Sequence, residues 1–176
     1  VRNGPGGTLL AGRFENDQVL VLDREAGTPH PSFPAPFPVG RDGQSDGVLD
    51  LAVRDGGHPD VYVLLGLASA IASIDTALGT GGIDDGFART GTYPNRLLRD
   101  GDRLLVLNSG DNNVAAVDPA TGGSLGTVAV LPPGTNPYDL AVWQDGGRTF
   151  AAITGQQVDA LYVVDLDRAA IVREVR

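Results

Sequence analysis

The chain has 176 residues, of which 41% are hydrophobic and 20% charged, so it can bury a core and is not intrinsically disordered. Its 22 acidic and 13 basic residues give a net charge of −9, which argues against nucleic acid and anionic lipid as partners, and no apolar stretch is long enough to span a membrane. The absence of cysteine excludes disulfides and thiolate metal sites, whereas 25 glycines and 12 prolines indicate many turns and an all-β fold.

Four apolar segments that end in aspartate recur along the chain, at residues 19–23, 70–75, 114–118 and 161–165. A second apolar segment of strand length precedes each one, at residues 8–11, 61–65, 104–107 and 149–153. In the last three units an Asp-Gly turn, typical of a β-hairpin, separates it from a further segment, at residues 49–53, 96–98 and 140–143. A fourth segment follows the aspartate at residues 124–131 and 169–175. The pattern predicts units of four antiparallel strands, A to D, in about 43 to 52 residues, the period of a propeller blade.

The fourth unit carries a family resemblance. Its residues 136–142, 145–146, 161–165 and 172–175 resemble the YVTN-type repeat of seven- and eight-bladed β-propellers, and the third unit resembles it equally well. The resemblance implies one β-propeller segment over residues 1–176, with approximate blades at 1–46, 47–93, 94–136 and 137–176. Because residues 1–4 align with 53–56, the end of a strand A, we expect an incomplete ring. Further blades, from the same gene product or from a second copy of the chain, would complete it.

The propeller resemblance implies that the D–A and B–C loops share the edge of the blades where ligands usually bind. Arg41, Arg89 and Arg96 lie in or beside the D–A loops, and their guanidinium groups predict a site for an anion or carboxylate. The alternative is that each arginine pairs with a nearby aspartate or faces water. Tyr138, at the end of the third D–A loop, is a further predicted ligand-binding residue.

The B–C loop of the third unit is rich in side-chain oxygens. Asn108, Asp111 and Asn112 are predicted ligand-binding residues, and their oxygens, with that of Asn113 and backbone carbonyls, could hold calcium. The spacing does not match a recognised calcium loop, and the alternative is that Asn and Asp stabilise tight turns. Calcium is the only ion that these oxygens suggest, and the sequence predicts no cofactor.

Catalytic and transition-metal chemistry find little support in the sequence. His30 and His58 are the only histidines and lie in different strand-connecting segments, so no metal site is predicted. No serine lies in a Gly-x-Ser-x-Gly elbow, and no catalytic residue is predicted.

Residues 29–38 contain five prolines and must be largely extended. Such a segment could present Phe33 and Phe37 to a protein partner. The alternative is a stiff surface crossing whose phenylalanines pack on the blade.

These patterns favour a non-enzymatic binding or scaffold module that displays loops for a protein or glycan partner. The resemblance to YVTN propellers implies a periplasmic, cell-surface or secreted location. The alternative is a portion of a propeller enzyme, quinoprotein-dehydrogenase-like or lactonase-like, whose main active-site ligands lie in other blades.

Overall fold

The fold is built mainly from short antiparallel strands. The computed structural model describes residues 1–176 and contains four four-stranded sheets, in each of which the strands follow one another in chain order. The first sheet comprises β1 (Arg2–Asn3), β2 (Thr8–Arg13), β3 (Gln18–Asp23) and β4 (Phe37–Pro38), and the second comprises β5 (Val48–Val53), β6 (Val61–Leu65), β7 (Ala70–Ile74) and β8 (Ile83–Arg89). The third comprises β9 (Pro94–Asp100), β10 (Arg103–Asn108), β11 (Asn113–Val117) and β12 (Ser124–Val130), and the fourth comprises β13 (Pro137–Asp145), β14 (Arg148–Gly155), β15 (Ala160–Asp165) and β16 (Ala170–Val175). Two short 3₁₀ helices span Pro5–Gly7 and Thr76–Gly82. The predicted all-β fold of four-stranded units is confirmed.

The chain groups into two compact units. Unit one contains residues 1–89 and 119–122, and unit two contains residues 90–118 and 123–176. Alternating apolar residues of β2 and β3 pack against β5, β6 and β7 to form the core of unit one. Every residue of β6 and β7 is buried, as expected for strands whose residues are apolar except for Ser73.

Unit two has a core of its own, made by the third and fourth sheets. Its largest members alternate along the strands, so that each strand directs one face into the core: Leu105, Leu107, Val114, Leu140, Ile153, Tyr162 and Val164. Burial of these side chains is the main stabilising contribution, roughly 1.5–3 kcal/mol for each large aliphatic or aromatic residue.

The aspartates that end each strand C have a local structural role. Asp23 Oδ1 accepts hydrogen bonds from the backbone N–H groups of Glu25 and Ala26, at 2.9 and 2.8 Å. Asp165 Oδ1 accepts hydrogen bonds from the backbone N–H groups of Asp167 and Arg168 in the same way. Its carboxylate is fully buried, with Arg148 Nη1 at 2.9 Å from Oδ2. The amides of Ala26 and Glu25 lower the pKa of the Asp23 carboxyl. The recurring aspartate therefore fixes the turn into strand D by capping free amides.

Candidate functional site

One edge of the sheets is formed by the D–A and B–C loops, and we call it the loop edge. In unit one it comprises residues 14–17, 39–47 and 66–69. In unit two it comprises residues 90–93, 109–112, 131–136 and 156–159. Most of the residues predicted from the sequence to bind a ligand lie on this edge or at the strand ends beside it.

A pair of backbone hydrogen bonds recurs at the loop edge and ties the B–C loops of the second, third and fourth sheets to the D–A loop before them. The pairs are Gly66 N to Gly47 O (2.8 Å) with Leu67 N to Asp46 O (2.9 Å), Ser109 N to Tyr93 O with Gly110 N to Thr92 O (both 3.0 Å), and Gln156 N to Asn136 O (3.1 Å) with Gln157 N to Thr135 O (3.3 Å). Because these loops satisfy one another's polar groups, they form a preorganised surface.

The last residue of every B–C loop adopts left-handed backbone: Asp17, Ser69, Asn112 and Asp159 have φ of 47°, 49°, 50° and 46°. The side chain is then used to bind the neighbouring loop in two of these positions. Asp17 accepts hydrogen bonds from Asp46 N at 2.8 Å and Gly47 N at 2.6 Å, and Asn112 Oδ1 accepts one from Asn136 N at 2.9 Å. Asn and Asp tolerate this conformation better than other non-glycine residues, which explains their frequency here.

The oxygens weighed as calcium ligands are engaged in the same kind of bonding. Asn108 Oδ1 accepts from Gly91 N at 3.1 Å, and Asp111 Oδ2 accepts from Thr92 N at 2.8 Å. Asn112 binds Asn136 as described above. No group of three or more His, Asp or Glu side chains is arranged to hold a metal ion. The contacts favour the alternative in which these residues stabilise turns.

The three predicted arginines have different surroundings. Arg41 Nη2 lies 2.6 Å from Asp46 Oδ1, and the guanidinium lowers the pKa of that buried carboxyl against the opposing effect of burial. Arg96 Nε lies 2.7 Å from Asp139 Oδ1. Arg89 is exposed at the end of β8 and makes no ion pair. Arg41 and Arg96 are thus held by aspartates, and Arg89 remains available to a ligand.

Strands β5, β9 and β13, the first strands of the second, third and fourth sheets, bring further charged residues to the site. A β-bulge at Leu49, Asn95 and Tyr138 interrupts the pairing of β5, β9 and β13, each at the second residue. The residues that follow the bulges are charged: Asp50, Arg96 and Asp139. Asp50 pairs with Arg2 Nη2 at 2.6 Å, as Asp139 pairs with Arg96.

Sequence reasoning identified Arg96 among these charged residues but missed Arg2, Asp50 and Asp139. Their shared position in the repeat, three residues into strand A, is the pattern that would have found Asp50 and Asp139.

Large apolar side chains are exposed on the loop edge, and at the strand ends beside it, in both units. In unit one, Phe14, Leu49 and Leu67 are 44%, 44% and 63% exposed. Phe14 and Leu67 flank Gly47, where an added Cβ would lie 2.6 Å from the phenylalanine ring. In unit two, Tyr93 and Tyr138 are 71% and 58% exposed. Sequence reasoning selected only Tyr138, because it searched the loops for polar ligands.

The proline-rich segment does not present both of its phenylalanines. Phe37 is 2% exposed in the core of unit one, where it is paired with Val19. Phe33 is half-buried against the same core, with its ring 5.8 Å from that of Phe37. Both rings therefore pack on the sheet, as in the alternative interpretation.

One carboxyl near the loop edge has an altered pKa. Asp85 of β8 accepts a hydrogen bond from Gly40 N at 2.6 Å, which fastens the first D–A loop to the second sheet. Partial desolvation raises the pKa of the Asp85 carboxyl, against the effect of this hydrogen bond, and three neighbouring aspartates add to the rise, namely Asp84, Asp46 and Asp42.

No protein-family model matches the chain, and no curated protein matches it. Solved structures do match. The periplasmic gluconolactonase of Pseudomonas aeruginosa is 25% identical, with a TM-score of 0.64 over 97% of this chain and 50% of that one. A streptogramin B lyase is 14% identical, with a TM-score of 0.69 over 96% of this chain and 51% of that one. The dihydro-heme d1 dehydrogenase NirN is 16% identical, with a TM-score of 0.69 over 95% of this chain and 35% of that one.

These neighbours define the fold as a partial β-propeller of four four-stranded blades. The chain spans about a third to a half of the length of these structures. The neighbours include propeller enzymes, and one of them is periplasmic. The chain contains no helix with the length and apolar character that a membrane crossing requires.

Proposed function

We propose that the chain is part of a β-propeller binding module that holds a protein partner against its loop edge. The observation that carries this proposal is the set of exposed aromatic and aliphatic side chains on loops fixed by hydrogen bonds. Phe14, Leu67, Tyr93 and Tyr138 are 44–71% exposed. Large apolar and aromatic residues dominate the energetics of protein interfaces, and loops already fixed lose little conformational entropy on binding.

Polar residues at the same edge supply directional contacts. Arg89 is exposed and has no carboxylate partner. Tyr138 is 58% exposed and directly precedes Asp139 in the chain. Arginine and tyrosine are enriched among residues that contribute strongly to binding. We propose that Arg89 and Tyr138 contact the partner. We propose that Asn108, Asp111 and Asn112 stabilise the loops by hydrogen bonds instead of binding a ligand.

We further propose that the repeat is of the YVTN type and that additional blades complete a seven- or eight-bladed ring. In the first sheet, Leu9 and Leu22 are paired across strands on a half-buried face. In the fourth sheet, Ala141 and Trp143 are exposed on the face that is not directed to the core of unit two. Apolar sheet faces of this kind are normally covered, either by blades of the same chain or by a second copy.

The proposed location is the cell envelope or the secreted space. It is supported by the YVTN resemblance and by the periplasmic location of the similar gluconolactonase. The net charge of −9 is compatible with a protein or neutral glycan partner and disfavours nucleic acid.

Site-specific photo-crosslinking tests the binding module. A benzophenone amino acid is placed at Leu67 or Tyr138 of the complete protein, and at Asp55 or Asp102 as exposed controls on the opposite edge of the sheets. We expect one discrete protein adduct from positions 67 and 138 and none from 55 and 102. Adducts of equal yield at the two edges, or none from the loop edge, would contradict the proposal. If an oligosaccharide, rather than a protein, is found to bind and protect the loop edge, the partner is assigned to the glycans.

A second candidate is a propeller enzyme whose main active-site ligands lie in other blades. The neighbours that favour it are a gluconolactonase, a lyase and a dehydrogenase. Metal analysis, an absorption spectrum and a lactone-hydrolysis assay on the complete protein distinguish the two functions. A bound quinone or metal together with turnover would support the enzyme.

A further inference from the structure

A groove of about 440 Å³ lies in unit one, at the edge of the second sheet opposite to the loop edge. It is lined by the ends of β7 and β8, by the turn before β6, and by residues 120 and 121 of the segment that joins β11 to β12. Its volume falls within the range of roughly 300–1,000 Å³ that small-molecule sites occupy. The predicted ligand residues all lie elsewhere, so this groove is separate from the surface described above.

The polar side of the groove is organised around Asp75, which directly follows β7. Its Oδ1 accepts hydrogen bonds from Ala77 N at 3.0 Å and from His58 Nδ1 at 2.9 Å. Because a carboxylate can only accept, Nδ1 is the donor in the contact with His58. Asp84 of β8 adds a second carboxylate to the lining, which contains no lysine or arginine.

The floor of the groove contains a serine whose hydroxyl has no partner in the protein. Ser73 is 3% exposed, lines the groove and makes no side-chain hydrogen bond. It is paired in register with Tyr62, so its side chain lies on the same face of the sheet as that ring. Its hydroxyl therefore opens onto the groove without a protein partner and is free to bond a group that enters it.

The opposite side of the groove is apolar and held in place from beneath. The Phe87 ring lies 5.5 Å from the Tyr62 ring, and Tyr62 Oη donates to Pro119 O at 2.6 Å. Ile83 continues this wall. A Cβ at Gly122 would collide with the carbonyl oxygen of Phe87, so only glycine allows residues 119–122 to approach β8 this closely.

We infer that this groove binds a small organic ammonium ion attached to an apolar group. The ammonium has only donors, and the lining offers acceptors: the Ser73 hydroxyl and the carboxylates of Asp75 and Asp84. The apolar part packs on Phe87 and Ile83, and the aromatic face adds a cation–π attraction. An anion would meet two carboxylates without a compensating lysine or arginine, so the charge of the lining disfavours it.

Titration of the ¹⁵N-labelled protein with three isosteric probes tests the inference. Benzylammonium is expected to shift the amides of residues 73, 83–87 and 120–121 saturably. Neutral benzyl alcohol is expected to bind about tenfold more weakly, since it lacks the charge-assisted hydrogen bonds, and benzoate is expected not to bind. Benzoate or benzyl alcohol shifting the same amides as strongly as benzylammonium would overturn the inference, as would the absence of saturable shifts.

Matched variants identify the groups responsible. Ser73→Ala and Asp84→Asn are each expected to weaken benzylammonium binding by about fivefold or more. Asp55→Asn makes the same charge change at an exposed position outside the groove and is expected to leave the affinity unchanged. Equal affinities in Asp84→Asn and Asp55→Asn would contradict the assignment. Nα-acetyl-lysine methylamide, which keeps its side-chain ammonium, is a second probe that distinguishes the source of the ligand. If it binds more tightly than benzylammonium, the groove is assigned to a lysine side chain of a partner. If it binds more weakly, the groove is assigned to free amines.

Discussion

Removal of the Asp17 carboxylate tests whether side-chain bonding holds the loop edge. This side chain is 9% exposed and accepts two hydrogen bonds from buried amides, at 2.8 and 2.6 Å. Asp17→Ala leaves both amides unpaired, and each costs about 1–3 kcal/mol. Alanine at a φ of 47° adds a penalty of roughly 1 kcal/mol. We therefore expect the variant to lose about 3–7 kcal/mol of unfolding free energy, which is a large part of the stability of a typical domain.

Ser69→Ala provides a matched control in the same unit. Ser69 occupies the same loop position in the second sheet, with a φ of 49°, but its side chain makes no hydrogen bond. Its replacement should cost only about 1 kcal/mol, from backbone strain. Asp17→Asn keeps one acceptor oxygen and should fall between the two alanine variants.

Urea unfolding followed by far-ultraviolet circular dichroism measures these differences, and hydrogen exchange at the amides of Asp46 and Gly47 localises them. Both amides should lose protection in Asp17→Ala and keep it in Ser69→Ala. If the two alanine variants lose the same free energy, backbone strain rather than hydrogen bonding determines the stability of the loop, and the reasoning is refuted.

Two further predictions concern a carboxyl and a glycine. Because the pKa of Asp85 is raised by folding, the native state binds its proton more tightly, and stability falls as pH rises from about 4 through the raised pKa. Asp85→Asn keeps an acceptor for Gly40 N and should stabilise the protein at pH 7 by less than about 1 kcal/mol, because the group is exposed. Below pH 4 it should give no gain. Urea titrations at both pH values measure the difference, and a gain independent of pH would contradict this prediction. Gly122→Ala places a Cβ against the Phe87 carbonyl and should lower the melting temperature more than Gly126→Ala, which has positive φ but nothing within 4 Å; equal losses would show that strain alone decides.

The sheets could be predicted from the sequence because the interactions that define them are local. An Asp-Gly pair sets a hairpin between adjacent strands, with Gly101 and Gly146 at φ of 57° and 56°. The aspartate at the end of strand C caps amides two and three residues later, as Asp23 does. Features of this range leave a readable pattern in each repeat.

The candidate sites were harder to predict because their partners are distant in the chain. Asp111 binds an amide 19 residues away and Asn112 one 24 residues away, so both resembled free metal ligands in the sequence. The groove combines His58, Ser73 and residues 120–121, and no spacing rule relates these segments. Exposure of Leu67 and Tyr93 is likewise a property of the folded loops rather than of their composition.

The two edges of the sheets differ in which groups they leave unsatisfied, and that difference assigns them different ligands. At the loop edge the backbone amides and the oxygens of Asp17, Asn108 and Asn112 bind one another, so apolar side chains remain for contact. Such a surface gains free energy by removing apolar area from water, which favours a macromolecular partner. In the groove the Ser73 hydroxyl has no protein partner, and the carboxylates of Asp75 and Asp84 line the space beside an aromatic ring, so a small ligand rich in donors fits there. A variant that abolishes binding at one edge should therefore leave binding at the other unchanged.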